Sequence, residues 1–113
     1  MKLPGAERAV IPEAKLRDYI LNPDNPDGRA KAAFLTRLGY SREEWVRLEL
    51  DLRQQHLLED AAPGQASPYG VKYEILGRLK GPSGREAWVR TIWIVLSGQT
   101  QPRLVTLVPG EKP

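Results

Sequence analysis

The chain has 113 residues, of which 41% are hydrophobic and 27% are charged, and its formal net charge is +3 at pH 7. This length and composition are typical of one globular domain, so we predict a single domain over residues 1–113. The chain contains no cysteine, which excludes disulfides, thiolate catalysis and cysteine-ligated zinc or iron–sulfur sites. No apolar run reaches the roughly 18 residues of a membrane span, and the start lacks the apolar segment of a secretory signal. We therefore expect a bacterial cytoplasmic protein with no membrane partner.

The charge is distributed unevenly along the chain. Residues 1–60 hold 10 Lys and Arg against 11 Asp and Glu, a net charge of −1, whereas residues 61–113 hold 7 against 3, a net charge of +4. A local excess of cations favours partners that carry phosphate groups, such as RNA. A surplus of four is also ordinary for the surface of a small soluble domain.

The first half of the chain is predicted to be an arm followed by helices. Residues 1–11 contain Pro4 and Gly5 and are followed by Pro12, which predicts an irregular or short extended arm. Residues 12–60 form the predicted helical half. Its first helix runs from Glu13 to Leu21 and ends at the following Asn-Pro-Asp-Asn-Pro turn.

Two further helices are predicted from apolar periodicity and capping signals. Gly28 to Leu38 is the second helix, with Asp27 as its N-cap and the next glycine as its left-handed C-terminal residue. The third helix runs from about Arg42 to Glu59. The preceding Ser41-Arg-Glu-Glu sequence matches a capping box.

The second half is predicted to be an antiparallel sheet over residues 69–109. The composition of residues 60–68, rich in Ala, Pro, Gly and Ser, predicts a loop. Alternating apolar residues then indicate strands over residues 69–79, 87–96 and 103–108. We therefore predict an α+β fold in which three N-terminal helices pack on one face of a C-terminal antiparallel β-meander of about three strands.

The two faces of this meander follow from the expected turns. If residues 81–84 and 98–101 are four-residue turns, the aliphatic face lies under the helices and includes Val71, Tyr73 and Ile75. The opposite face then collects a mixed, partly polar set of side chains: Lys72, Glu74, Thr91, Trp93 and Thr106. A shift of one residue would exchange the faces.

Two arginines fall on the helix-covered face in this register. Arg90 and Arg103 lie near its two ends, where burial is costly unless each guanidinium is paired. One interpretation is an ion pair with a helix carboxylate, for which the candidates are Asp18, Glu44, Glu49 and Asp51. The other is a phosphate site, because a guanidinium binds phosphate oxygens with two parallel hydrogen bonds.

Few residues offer acid–base or metal chemistry. His56 is the only histidine; it lies beside the apolar stripe of the third helix, where it either transfers protons or bonds a neighbouring group in the core. No metal-binding, dinucleotide or phosphate-loop motif is present, so we predict neither a metal nor a cofactor.

Trp88 and Trp93 have opposite parity on the central strand, so one of them must leave the core face. We assign Trp93 to the exposed position, where it packs against a loop, stacks on a nucleobase or fills a pocket of a partner protein.

Taken together, short segments along most of the chain carry a resemblance to a known family. The segments are Met1-Lys-Leu-Pro, Lys15-Leu-Arg-Asp-Tyr, Leu21-Asn-Pro, Gly28-Arg-Ala-Lys-Ala, Phe34, Leu38-Gly-Tyr, Tyr69-Gly, Tyr73, Gly81-Pro-Ser-Gly, Val89-Arg-Thr-Ile-Trp-Ile and Pro102-Arg-Leu-Val-Thr. In their order and spacing the chain resembles an uncharacterised bacterial domain family found as short stand-alone proteins and as the C-terminal tips of polymorphic toxins. Toxin tips of this size, with helices followed by an antiparallel sheet, often resemble the broad ribonuclease group that includes barnase-like, colicin-like and RelE-like toxins.

The resemblance implies a toxin-like, metal-independent ribonuclease of a toxin–antitoxin or related conflict system, with a small antitoxin- or immunity-like partner and RNA as its substrate. The positions that the resemblance carries over are Lys31, Arg90, Thr91, Arg103 and Thr106. With Lys72 and His56 added for proton transfer, we predict as catalytic candidates Arg90, Arg103, Lys72, Thr91, Thr106 and His56. The predicted substrate-binding candidates are Lys31 and Trp93. One alternative is a non-catalytic module that docks a small partner protein. Another is an RNA-binding domain without chemistry, whose affinity would fall steeply with salt.

Overall fold

The structure is a computed structural model that describes all 113 residues. Its helical elements are a 3-10 turn at Ala6–Arg8, α1 at Glu13–Lys15 with a π-helical continuation at Leu16–Ile20, α2 at Arg29–Arg37, and α3 at Trp45–Asp51 with a π-helical continuation at Leu52–His56. Its strands are β1 at Ala61–Ser67, β2 at Gly70–Lys80, β3 at Glu86–Leu96 and β4 at Pro102–Pro109. The α+β prediction is confirmed, with four strands instead of about three.

The four strands form one antiparallel sheet in the order β1-β2-β3-β4. The prediction of a loop over residues 60–68 was wrong, because these residues pair with β2 as an edge strand. Only Ala61 of β1 is buried, so this strand carries no alternating apolar pattern that a sequence reading can detect. Pro63 is accommodated because the pairing is irregular between Pro63 and Ala66, as expected for proline in an edge strand.

The N-terminal arm closes the opposite edge of the sheet. Val10 forms a parallel bridge with Arg103, in which the Val10 N–H donates to the Pro102 carbonyl at 2.8 Å and the Leu104 N–H donates to the Val10 carbonyl at 3.0 Å. The arm also buries four apolar residues: Leu3, Ala6, Ala9 and Ile11. The exposed edge of β4 is therefore capped by the chain's own first residues.

The helices lie close to their expected positions, but their caps differ. Asp27 does not cap α2, for which Gly28 is the N-cap and no side chain bonds the first turn. Asp27 is instead part of the preceding turn, where its N–H donates to the Asn25 side-chain oxygen at 2.9 Å. Gly39 has φ 99°, which confirms the predicted left-handed residue after α2. The Ser41 hydroxyl accepts the Glu44 N–H at 3.3 Å, which supplies one half of the predicted capping box.

The β2–β3 register differs from the prediction by one residue. Lys80 pairs with Glu86, so the turn contains five residues, 81–85, and not four. The turn is shaped by its contact with the helical layer: a side chain at Gly81 would meet the Leu38 carbonyl at 2.1 Å, and the Ser83 N–H donates to that carbonyl at 3.0 Å. This long-range contact sets the loop length, which local turn chemistry could not reveal.

The register shift exchanges the residues on the two faces of β3. Ile75 pairs with Thr91, and Tyr73 pairs with Trp93, so Thr91 and Trp93 lie on the helix-covered face. The β3–β4 turn is also longer than predicted, because Val95 pairs with Pro102. These register predictions were wrong.

The core lies between the helices and the inner face of β2, β3 and β4. The fully buried side chains from the helical layer are Leu16, Ile20, Leu35, Leu48 and Leu52, and those from the sheet are Ile75, Leu79, Val89, Trp93, Leu104 and Leu107. The predicted layer order, with helices on one face of the sheet, is confirmed. The opposite face carries no covering element of this chain and provides the candidate site.

Candidate functional site

The outer face of the sheet is defined by the side chains that point away from the helices. Lys72, Ile94 and Arg103 lie in one row across β2, β3 and β4. Neighbouring strands are about 4.8 Å apart, so Lys72 and Arg103 flank Ile94 with their Cα atoms roughly 10 Å from each other. Both cations are exposed and neither forms an ion pair within the chain. Two long cationic side chains at this spacing can converge on one phosphate group.

A carboxylate lies in the next row of the outer face. Glu74 pairs across the sheet with Ile92, and its carboxylate forms an ion pair with the Arg90 guanidinium. The exposed fractions of the two side chains are 36% and 38%, so water and a ligand both reach the pair. The predicted placement of Arg90 and Arg103 on the core face was wrong, because the register shift turns both outward. Arg90 does form an ion pair, but with a strand carboxylate and not with a helix carboxylate.

The other end of the outer face contains an aromatic residue. Trp88 pairs with Arg78 across β2 and β3, and the Arg78 guanidinium carbon lies 5.5 Å from the centroid of the Trp88 ring. The Arg78 Nη1 is 4.0 Å from the Glu86 Oε2. A shallow cavity of about 190 Å³ is lined by Arg78, Glu86, Ala87 and Trp88.

The outer face carries a net positive charge. Its cations are Lys72, Arg78, Lys80, Arg90 and Arg103, and its carboxylates are Glu74 and Glu86, so five positive charges face two negative charges. Both carboxylates lie beside an arginine, and of the three cations without an ion pair, Lys72, Lys80 and Arg103, only Lys72 and Arg103 share a row. The potential that attracts an anion is therefore strongest at the Lys72–Arg103 row.

Three of the predicted site residues lie on the other side of the sheet. His56, Thr91 and Trp93 are completely buried. The Trp93 Nε1–H donates to the Thr91 Oγ1 at 2.8 Å, and the His56 Nε2 lies 2.8 Å from the same oxygen. The prediction that Thr91 and Trp93 face outward was wrong, because their polar atoms satisfy one another in the core. These side chains do not reach the outer face.

Burial dominates the protonation of His56. Desolvation lowers the pKa of His56 to about 4, while a contact with the Ile75 backbone opposes this shift. Its Nδ1 is buried and makes no hydrogen bond of normal geometry. The imidazole is therefore neutral at pH 7 and acts as part of the core packing.

A second polar cluster lies where the helical layer meets β4. The Lys31 ammonium hydrogen-bonds the Tyr19 hydroxyl, and its nitrogen is 4.4 Å from the centroid of the Tyr19 ring. The hydrogen bond from Lys31 is the main cause that lowers the pKa of Tyr19, and the nearby Thr106 hydroxyl contributes. The Thr106 Oγ1 is itself buried and has no hydrogen bond of normal geometry. Two predicted site residues, Lys31 and Thr106, thus both lie beside Tyr19, and Thr106 also pairs with Ile92, in the row of Glu74.

The structure therefore divides the predicted site residues into three groups. It brings together Lys72, Arg90 and Arg103 on the outer face, places Lys31 and Thr106 beside Tyr19, and buries His56 with Thr91 and Trp93. The sequence reading assigned no role to Glu74 or Trp88. Glu74 was already predicted on the same face as Lys72, but without its partner Arg90. Trp88 and Arg90 lie on the same side of β3, so the correct register of β3 was the signal that would have placed both of them beside Glu74 and Lys72 on the outer face.

Chemically, the outer face offers one carboxylate among cations. A carboxylate can accept a proton, and adjacent guanidinium and ammonium groups can stabilise the negative charge that develops on a phosphate group. Nowhere in the chain do three or more His, Asp or Glu side chains come together as potential metal ligands. No helix has the length and apolar character that a membrane crossing requires.

The fold places the chain among α+β domains with a helical layer on one face of an antiparallel sheet. The chain belongs to the family described as domain of unknown function DUF6883, whose model matches residues 2–111. This membership confirms the family resemblance seen in the sequence. A search of curated proteins finds no match.

A solved structure shares this fold. It is a chain of a contact-dependent growth inhibition toxin–immunity protein complex from Klebsiella pneumoniae 342, with a TM-score of 0.60 and 15% sequence identity. The match covers 96% of this chain and 98% of that chain. At this identity the likeness establishes a common fold over nearly the whole of both chains.

Proposed function

We propose that this domain is a toxin-type ribonuclease that cleaves RNA in the cytoplasm without a metal ion, with the outer face of the sheet as its active site. The observation that carries the proposal is the Glu74–Arg90 pair, which is solvent-accessible and lies beside the unneutralised cations Lys72 and Arg103. A proton acceptor surrounded by phosphate-binding cations is what metal-free RNA cleavage requires. The fold shared with a chain of a toxin–immunity complex supports the toxin context.

In the proposed reaction, the Glu74 carboxylate takes the proton from the ribose 2′-hydroxyl. The 2′-oxygen then forms a bond to the adjacent phosphorus, and the bond from phosphorus to the 5′-oxygen of the next nucleotide breaks. The Lys72 ammonium donates a proton to that departing oxygen, while Arg90 and Arg103 stabilise the extra negative charge on the phosphate. The products are a 2′,3′-cyclic phosphate and a 5′-hydroxyl, and exchange with water restores both side chains to their starting protonation states.

The toxin context also supplies a partner. We propose that a small immunity-like protein binds this domain and blocks its toxicity in the cell that produces it. Acidic side chains on such a partner would complement the net positive outer face. Co-purification with the product of an adjacent gene tests this part of the proposal.

The activity test incubates the pure protein with total RNA, with and without EDTA. We expect fragments that end in a cyclic phosphate in both conditions. Glu74→Gln and Arg90→Ala should each reduce the rate by about 10²-fold or more, because each removes a group that acts in the transition state. Arg85→Ala is the matched control: it also removes an exposed cation, from the β2–β3 turn, and should leave the rate unchanged.

Two results would remove the proposal. One is intact RNA together with no growth defect when the protein is expressed. The other is cleavage that Glu74→Gln leaves at the wild-type rate. RNA binding that weakens steeply with salt, without any cleavage, would instead indicate an RNA-binding domain.

A second candidate function, a non-catalytic module that docks a small protein, is favoured by one specific observation. Ile92 and Ile94 are half-buried at the centre of the outer face: Ile94 lies between Lys72 and Arg103, and Ile92 lies between Glu74 and Thr106. An apolar centre with a polar rim is the usual anatomy of a protein–protein interface. Ile94→Asp should abolish partner binding under this candidate, while Glu74→Gln should leave both partner binding and any effect on growth intact.

A further inference from the structure

The Trp88 end of the outer face is not explained by the cleavage chemistry. Trp88 is half-buried although it points away from the helices, whereas the core tryptophan of the same strand, Trp93, is fully buried. A large aromatic side chain on an uncovered sheet face, held beside a guanidinium, is a common feature of ligand-binding surfaces. The cavity of about 190 Å³ lies directly against it.

The two ends of the outer face differ in charge. At the Lys72–Arg103 row no carboxylate neutralises the cations. At the Trp88 end, by contrast, Glu86 lies beside Arg78 at 4.0 Å and pairs across the strands with Lys80, so a carboxylate offsets part of the positive charge and a phosphate is less favoured there than at the Lys72–Arg103 row. A carboxylate, an aromatic ring and a cavity together suit an uncharged ring that carries N–H donors.

We propose that Trp88, Arg78 and Glu86 form a nucleobase subsite that takes a guanine of single-stranded RNA; this inference rests on the proposed function and names its substrate class. The base stacks on the Trp88 ring, whose orientation Arg78 supports. The Glu86 carboxylate accepts two hydrogen bonds, from the N1–H and the exocyclic amino group of guanine. Adenine, cytosine and uracil lack two adjacent donors of this kind.

The spacing along the strand fits one substrate that spans both sites. Trp88 and Arg90 are two residues apart on the same side of β3, so their Cα atoms are about 7 Å from each other. The rise per nucleotide of a stacked strand is about 3.4 Å, so a base on Trp88 places a phosphate within one or two nucleotides near Arg90. The Glu74–Arg90 pair then cleaves next to the bound guanine.

The binding test uses the four nucleoside 5′-monophosphates as probes and follows the Trp88 indole N–H by NMR. We expect GMP to bind at least about tenfold more tightly than AMP, CMP or UMP, because one bidentate contact discriminates by this factor or more. Trp88→Ala should weaken GMP binding by about tenfold or more. Glu86→Gln should remove the preference for GMP while other nucleotides still bind.

Controls separate this subsite from the fold and from catalysis. Trp45→Phe, which changes the half-buried tryptophan of α3, and Glu111→Gln, which removes an exposed carboxylate near the C-terminus, should leave nucleotide binding unchanged. Circular dichroism checks that each variant is folded. No shift of the Trp88 signal with any nucleotide overturns the inference, as does equal affinity for all four.

The subsite and the proposed ribonuclease fail independently. If the Glu74→Gln protein binds a short guanine-containing RNA through Trp88 but the wild-type protein leaves RNA intact, the subsite stands and the ribonuclease proposal falls. If the wild-type protein cleaves RNA with no preference next to guanine, and Trp88→Ala cleaves it equally well, the ribonuclease stands and the subsite falls.

Discussion

The buried Thr91 hydroxyl offers a sharp test of how this core is held together. It is the shared partner of the His56 Nε2 and the Trp93 Nε1–H, each at 2.8 Å, and all three side chains are fully buried. The indole nitrogen can only donate, so the Thr91 oxygen accepts that bond and its own proton is free for His56. Thr91→Val keeps the shape of the side chain but removes both hydrogen bonds.

The expected cost follows from the two polar groups left without a partner. An unsatisfied buried donor or acceptor costs about 1–3 kcal/mol, so the two together should destabilise the fold by roughly 2–6 kcal/mol. Domains of this size have unfolding free energies of only about 5–15 kcal/mol. The variant should therefore lose a large part of its stability.

Urea unfolding followed by circular dichroism and tryptophan fluorescence measures this change as a lower midpoint at an unchanged slope. Thr91→Ser is the matched control: it keeps the hydroxyl, loses one methyl group and should cost only about 1 kcal/mol. If Thr91→Val proves as stable as Thr91→Ser, the shared hydroxyl does not stabilise the core and the reasoning is refuted.

Three further predictions concern titration and buried pairs. The folded-state pKa of His56 is about 4 and the unfolded-state pKa is about 6.5, so below pH 6.5 the unfolded chain binds a proton that the folded chain does not. The free energy of unfolding should therefore be highest above pH 6.5 and about 2 kcal/mol lower at pH 5 than at pH 7. A His56→Gln protein whose stability falls equally with pH would contradict this. Tyr40→Phe removes a 2.7 Å hydrogen bond to the buried Asp51 carboxylate and should lower the free energy of unfolding by about 1.5–3 kcal/mol. The control Tyr69→Phe, at an exposed site, should change the free energy of unfolding by less than about 0.5 kcal/mol. Equal effects of the two substitutions would refute a structural role for the Tyr40–Asp51 pair. Lys31→Met should raise the pKa of Tyr19, because the hydrogen bond from Lys31 lowers that pKa. Phenolate absorbance in a pH titration measures the change, and Tyr19→Phe identifies which signal belongs to Tyr19. An unchanged pKa of Tyr19 in the Lys31→Met protein would show that Lys31 does not bond the hydroxyl.

Local sequence patterns predicted most of the secondary structure because each pattern reports the burial of its own segment. The apolar stripes and the left-handed Gly39 located the helices, and period-two alternation located β2, β3 and β4. β1 was missed because an exposed edge strand has no buried face to leave an apolar signature. Asp27 was wrongly predicted as a cap because it belongs to the preceding turn, in which its backbone N–H bonds the Asn25 side chain.

The candidate site depended on information that no short segment contains. The 81–85 loop has five residues, and one residue fewer would turn the opposite side chains of β3 outward. This loop length is set by the contact of Gly81 and Ser83 with the Leu38 carbonyl of the helical layer. The sequence by itself determined the family, the α+β layering and the cationic second half. Only the tertiary structure decided that Glu74, Arg90 and Trp88 share the outer face while Thr91 and Trp93 lie in the core. Strand register depends on packing between segments that are distant in the sequence, so no local pattern determines it.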